Sequence, residues 1–109
     1  MIYKINITKQ AKEDLKGIYE YIAFTLFSLE NAEKQLDRLE DQIMSLKEMP
    51  KCFRRYESEP WKSKDMRIMP IDHYVVLYTP NDETGVVTIN RVMYGGRDIE
   101  KQLNELDAN

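Results

Sequence analysis

The chain has one cysteine, one histidine, one tryptophan, four glycines and four prolines in 109 residues. With Cys52 alone, no intrachain disulfide can form. It stands beside Phe53 in a loop-like stretch, where a small, half-buried side chain is expected. One histidine and one cysteine cannot assemble the usual zinc sets, so no metal site is expected. The glycines match neither common phosphate-binding spacing, and no serine stands in a nucleophile elbow, so no cofactor is expected either. No apolar run approaches the ~20 residues that span a bilayer. The opening residues, MIYKINITKQ, alternate apolar and polar instead of forming the apolar core of a signal peptide. The expected location is cytoplasmic, with no membrane partner. A surplus of basic charge is also missing: the formal net charge is −3, which argues against a surface made for broad phosphate contact. No repeat, low-complexity tract or linker interrupts the chain, so residues 1–109 are expected to form one domain.

Apolar residues make up 42% of the chain, enough to exclude a disordered one. A domain of this size buries only ~60–70% of its unfolded surface. Its stability margin is thin, and a tight partner would add usefully to it.

Hydrophobic period supplies the elements. Residues 2–7 read as a strand, with Ile5 and Ile7 on one face. Thr8 is an N-cap candidate. Leu15, Ile18, Tyr19, Ile22 and Leu26 then recur at helical spacing over about five turns. Ser28 caps a second helix with the stripe Ala32, Leu36, Leu39, Ile43 and Leu46, and Pro50 stops it. Both stripes are expected to be core. Residues 51–64 show no period and read as a loop wrapping the sheet, in which Trp61 closes a hydrophobic seam. Residues 66–71, 74–79 and 86–93 are three further strands. Asp72 and His73 form the first turn between them, and the second is a polar cluster at 80–85 that includes Asp82 and Glu83. Gly95-Gly96 permits backbone angles other residues avoid, and Asp98 or its neighbours can cap a short helix through Leu106. The order β-α-α-β-β-β-α predicts an α+β fold, with one layer of antiparallel sheet and an N-terminal helical hairpin on one face. The other face is expected to be only partly covered.

The chemistry-bearing residues left are Arg, Lys and Tyr around the sheet. Residues 51–67 hold six basic side chains, Lys51, Arg54, Arg55, Lys62, Lys64 and Arg67, against Glu57, Glu59 and Asp65. This segment reads either as a solvated loop or as a local basic patch around Arg54, Arg55 and Lys62. Arg67 and Arg91 read either as binding residues or as partners of nearby acids. Arg97-Asp98 can equally be a structural pair at a helix start.

Residues 66–103 read MRIMPIDHYVVLYTPNDETGVVTINRVMYGGRDIEKQL. A strand with an Arg and a Pro is followed by HYVVLY, a polar turn and INRVMYGGRDIEKQL. This order resembles the way small toxins of the RelE/ParE superfamily end. It is nearer the ParE branch, whose last strand typically reads like R-V-L-H-G-x-R-D-I, with Tyr94 standing where that branch often has His. The resemblance implies the toxin of a type II toxin–antitoxin pair, of the kind linked to plasmid stabilization and growth inhibition. It implies a cognate antitoxin whose C-terminal segment folds on this surface, giving a toxin–antitoxin hetero-oligomer.

For the ParE branch the resemblance implies interference with DNA gyrase and no catalysis by the chain itself. The target-binding candidates are then Arg67, Arg91, Tyr94 and Arg97. The RelE branch implies instead a metal-independent endoribonuclease acting on mRNA in the ribosome, for which the same Arg67, Arg91, Arg97 and Tyr94 would be the catalytic candidates. That branch's lysines, arginines and helical tyrosine fall here on Met66, Ile68, Val75, Arg97 and Leu103, and of these positions Arg97 keeps its chemistry. A third alternative is a non-toxic relative that only binds the antitoxin.

Overall fold

A computed structural model of the chain describes residues 2–96, 99 and 101. Its elements are strand β1 (Lys4–Ile7), helix α1 (Lys9–Glu20), a single π-helical turn (Tyr21–Thr25), helix α2 (Leu29–Ser45) and strands β2 (Arg67–Ile71), β3 (Tyr74–Asn81) and β4 (Val86–Tyr94). The four strands form one sheet in the order β1-β4-β3-β2. The pairs β2–β3 and β3–β4 are antiparallel hairpins, as expected. Strand β1 instead lies parallel to β4, which makes the sheet mixed, not purely antiparallel. Turn chemistry specifies only neighbours in sequence; β1 and β4 meet after the chain has crossed the helices and both hairpins, so no local signal carries their orientation.

Thr8 joins helix and sheet. Its Oγ1 accepts from the Ala11 amide at 3.1 Å and donates to the Ile89 carbonyl at 2.9 Å, so the N-cap of α1 is also a tie to β4. Ser28 Oγ accepts from the Asn31 amide at the start of α2. Between the helices the expected five-turn α-helix stops early. The π turn adds a residue to its winding and rotates the side chains beyond it off the core stripe. Leu26, expected in the core, is 56% exposed for this reason, whereas Ile22 and Ala23 still pack on Ala32.

The main core lies between the hairpin and one sheet face, with Leu15, Leu39, Ile43 and Leu46 against Met69, Val76, Val87 and Ile89. Tyr78 is buried there too; its hydroxyl donates to the Pro50 carbonyl at 2.7 Å, and burial pushes its ionisation well above the ordinary tyrosine range. The opposite sheet face is better covered than its sequence suggests. Met66, Ile68, Val75, Leu77 and Met93 are buried beneath Tyr56, Trp61 and Ile99. Trp61 thus closes a hydrophobic seam. Strand β3, buried on both faces, is the centre of the molecule, and its run Val75, Val76, Leu77, Tyr78 is correspondingly apolar. Cys52 is exposed, not half-buried; Phe53 takes the inward position and packs on the main core.

Candidate functional site at the β4 corner

The end of the sheet that carries the Gly95-Gly96 corner is held from two sides. The β2–β3 turn is two residues long, since Ile71 pairs with Tyr74, and Asp72 takes a left-handed φ of 55°. Arg38 on α2 grips the Asp72 carboxylate with both arms of its fork, Nε and one terminal nitrogen each at 2.8 Å, while Gln35 donates at 3.0 Å. These donors, Arg38 first, hold the Asp72 pKa below the ordinary carboxylate value. On the other side the Gly95 amide donates to the His73 carbonyl at 2.8 Å. Tyr74 and Tyr94 pair across β3 and β4 and meet edge to face, with ring centroids 6.1 Å apart. Burial raises the Tyr74 pKa, and Tyr94 stays half-exposed. A Cβ at Gly95 would come within 3.3 Å of the His73 oxygen, and one at Gly96 within 2.9 Å of the Tyr94 ring. Gly95 is therefore held to a close backbone approach, whereas at Gly96 the obstacle is only the outer end of the half-exposed Tyr94 side chain. Among the described residues the corner presents Tyr94 to solvent on a braced backbone. Arg97 and Asp98 lie outside the described residues.

The other candidate residues are not gathered at this corner. Arg91 faces Leu77, three positions before Tyr94. Its Nε donates to Asp14 Oδ2 at 2.7 Å and a terminal nitrogen to Oδ1 at 2.9 Å, while the Val92 amide also donates to Oδ2. Both side chains are largely buried, at 13% and 12% exposure. Arg91 thus ties β4 to α1. Asp14 carries no signal in the sequence: it is one acid among several on an amphipathic helix.

Arg67 pairs with Tyr78 four positions from the β2–β3 turn, about 13 Å along the strand from the corner. Its guanidinium donates to the carbonyls of Phe53 at 2.8 Å and Lys51 at 3.2 Å and reaches Asp65 at 3.3 Å. It anchors the covering loop, whose Arg55 forms a bridge beside it.

The basic segment is largely compensated, mostly from within. Asp65 also takes Arg55 at 2.7 Å, Glu57 lies 3.7 Å from Lys62, and Lys51 pairs with Asp82. Asp82 accepts from Tyr3 as well, so the polar β3–β4 turn is a clasp and more than a solvated loop. Lys64 sits 5.2 Å above the Trp61 ring. Arg54 is exposed, and its carbonyl accepts from the Ile68 amide along the β2 edge.

Three of the positions onto which a nuclease set would fall are apolar and closed. Met66, Ile68 and Val75 lie in the second cluster at 2%, 6% and 9% exposure. Leu103 lies outside the described residues. Among the described residues no group of His, Cys, Asp and Glu is placed to hold a metal, and no helix is long and apolar enough to cross a membrane.

A second surface feature is an open groove of about 700 Å³ along the helical hairpin, between α1 and α2. Leu15, Tyr19, Leu36 and Ile43 line it, and Lys12 and Lys16 stand along its α1 wall.

Residues 5–99 match the family model of the ParE toxin of the type II toxin–antitoxin system, parDE. A comparison with curated proteins finds no significant match. Among solved structures, the chromosomal ParDE system of P. aeruginosa is similar, with TM-score 0.69 and 19% identity over 85% of this chain and 96% of that one. The RelBE2 toxin–antitoxin complex of Mycobacterium tuberculosis matches with TM-score 0.66 and 19% identity, over 86% and 99% of the two chains. A mutant of the E. coli toxin RelE in the free state matches at TM-score 0.67 and 14% identity, over 99% and 98%. At these identities the structures establish a shared α+β fold, and the family model, spanning most of the chain, decides membership: the chain belongs to the ParE toxin family of type II toxin–antitoxin systems.

Proposed function

We propose that this toxin acts by interfering with DNA gyrase, without catalysis of its own, and is held inactive by a cognate antitoxin. The observation that carries the choice of target is the closed apolar face formed by Met66, Ile68 and Val75 under Trp61. Cleaving RNA without a metal needs a base for the 2′-hydroxyl, cations for the phosphorane and an acid for the leaving oxygen. Side chains of that kind are replaced there by aliphatic ones. Each well-placed acid or base contributes ~10²–10⁴-fold, so losing several removes useful cleavage.

What remains suited to a protein target is the braced corner, with half-exposed Tyr94 next to Gly95-Gly96 and Arg97 adjoining in sequence. Aromatic and arginine side chains on a rigid support are effective anchors in interfaces. Arg91 would serve by tying the strand that carries Tyr94 to α1, and Arg67 by holding the covering loop. The cytoplasm is the compartment this action requires. The antitoxin is supported by the toxin–antitoxin complexes among the structural relatives and by the exposed apolar surface of the chain.

The test is inducible expression without antitoxin, with DNA, RNA and protein synthesis measured separately. DNA synthesis is expected to stop first, with gyrase trapped on cleaved DNA. Reproducible cuts in mRNA at the ribosomal A site, abolished by Arg97→Ala, would replace this reading with the endoribonuclease.

A further inference from the structure

The turn that supports the β4 corner is itself held from outside the sheet. Both braces of the corner run through His73 and Tyr74: the Gly95 amide donates to the His73 carbonyl at 2.8 Å, and the Tyr94 ring meets the edge of Tyr74. Little slack separates turn and corner, since a Cβ at Gly95 would already stand 3.3 Å from the His73 oxygen and 3.5 Å from a Val75 methyl. A shift of the turn is therefore passed on to the backbone beside Tyr94.

The position of that turn is set by more than its own chemistry. Asp72 is its first central residue and takes the positive φ, whereas His73 does not. A two-residue hairpin of that kind ordinarily carries glycine at the first position. Aspartate tolerates the conformation without preferring it. Its carboxylate is engaged by α2 instead, where Arg38 donates through Nε and a terminal nitrogen and Gln35 through its amide. Residues three apart share one side of a helix, and this helix is seated in the core by Leu39 and Ile43. A planar guanidinium bound through two nitrogens fixes direction as well as distance.

Burial separates geometry from stability here. The Arg38 side chain is 64% exposed and that of Asp72 29%. Ion pairs in such a setting add little to global stability. A grip of this kind does little to keep the chain folded; its effect is to set where the end of the sheet stands.

We infer that Arg38 is a positioning residue for the target-binding corner: acting through Asp72 and the His73 carbonyl, it fixes where Tyr94 stands. The inference rests on the corner being the surface that inhibits growth, as proposed above, and is indifferent to which target that surface meets.

The experiment compares Arg38→Ala, Asp72→Gly and their double variant with the parent chain. Amide exchange at Gly95 is followed by NMR on the purified chains. In cells without antitoxin, the amount of chain that gives half-maximal growth inhibition is read from its level on a blot. Each single variant is expected to speed Gly95 exchange about fivefold and to raise the amount needed about fivefold, with a melting temperature within about 4 °C of the parent. Asp72→Gly is the decisive variant. Glycine suits the positive φ, so a residue that served only the stability of the turn would be replaced there without loss. The double variant is expected to be no worse than either single one, because both break the same contact. Weaker growth inhibition together with faster Gly95 exchange upholds the inference whether or not gyrase is what the chain traps, so a failure of the proposed target leaves it standing. Unchanged Gly95 exchange in Arg38→Ala overturns it. So does full growth inhibition by Asp72→Gly, or a double variant in which the two losses multiply.

Discussion

Arg91 shows how a functional-looking residue divides between two roles once its partner is known. Its position in the last strand is legible from sequence; its partner, 77 residues earlier, is not. An arginine in such a strand could face a target or an acid, and only packing α1 on β4 brings Asp14 within reach. Removing one member of a largely buried pair leaves the other charged and uncompensated, at a cost of about 3–5 kcal/mol. Asp14→Ala and Arg91→Leu should each destabilise the chain on that scale in urea titrations, and the double variant by clearly less than their sum. Gly96 allows the opposite experiment. A methyl there would meet the Tyr94 ring, a half-exposed side chain free to swing aside. Gly96→Ala should therefore displace Tyr94 and reduce growth inhibition with little change in melting temperature. Growth inhibition that falls only as far as stability would make the corner structural.

At the scale of elements, the strands and helices are legible because each has a clear hydrophobic period. The exceptions have physical reasons. The π turn cannot be read, because its extra residue leaves the preceding period intact and shifts only the residues after it; Leu26 is the visible consequence. The covering loop shows no period because it packs through isolated side chains, Tyr56 and Trp61. The β2–β3 turn is legible as a turn, but its clamp is not, since Arg38 and Gln35 come from α2. That clamp should have a pH signature. Hydrogen bonds, from Arg38 first, lower the folded-state pKa of Asp72, and Lys51 does the same for Asp82. A carboxylate whose pKa is depressed on folding contributes stability above its unfolded value, near 3.8, that is lost as the pH falls through the folded value. Asp72→Asn keeps a side chain that tolerates the left-handed backbone while removing the charge. The gap in melting temperature between parent and variant should be constant near neutrality and close below about pH 3.8. A gap persisting into strong acid would assign the effect to backbone geometry.

For the whole molecule, a small chain has spent its limited core on both faces of one sheet. The second face reads from sequence as partly open, and three long-range covers close it. The open apolar surface has moved to the helical hairpin, where Phe24, Leu26 and Phe27 stand in water. A chain built this way should gain much from a partner that covers such surface. A ligand that binds only the folded state stabilises it by RT ln(1 + [L]/Kd), about 4 kcal/mol at a thousandfold excess over Kd. Nanomolar binding and micromolar free antitoxin meet that condition. For a domain near 100 residues each kcal/mol shifts the melting temperature by roughly 4 °C, so saturating antitoxin should raise it by roughly 15 °C. Calorimetric titration with the product of the adjacent reading frame should give a nanomolar or tighter Kd, and a thermal melt of the complex should show the shift. Absence of both would remove the main support for an antitoxin partner. Tight binding with no shift would mean that the antitoxin engages the unfolded chain equally well.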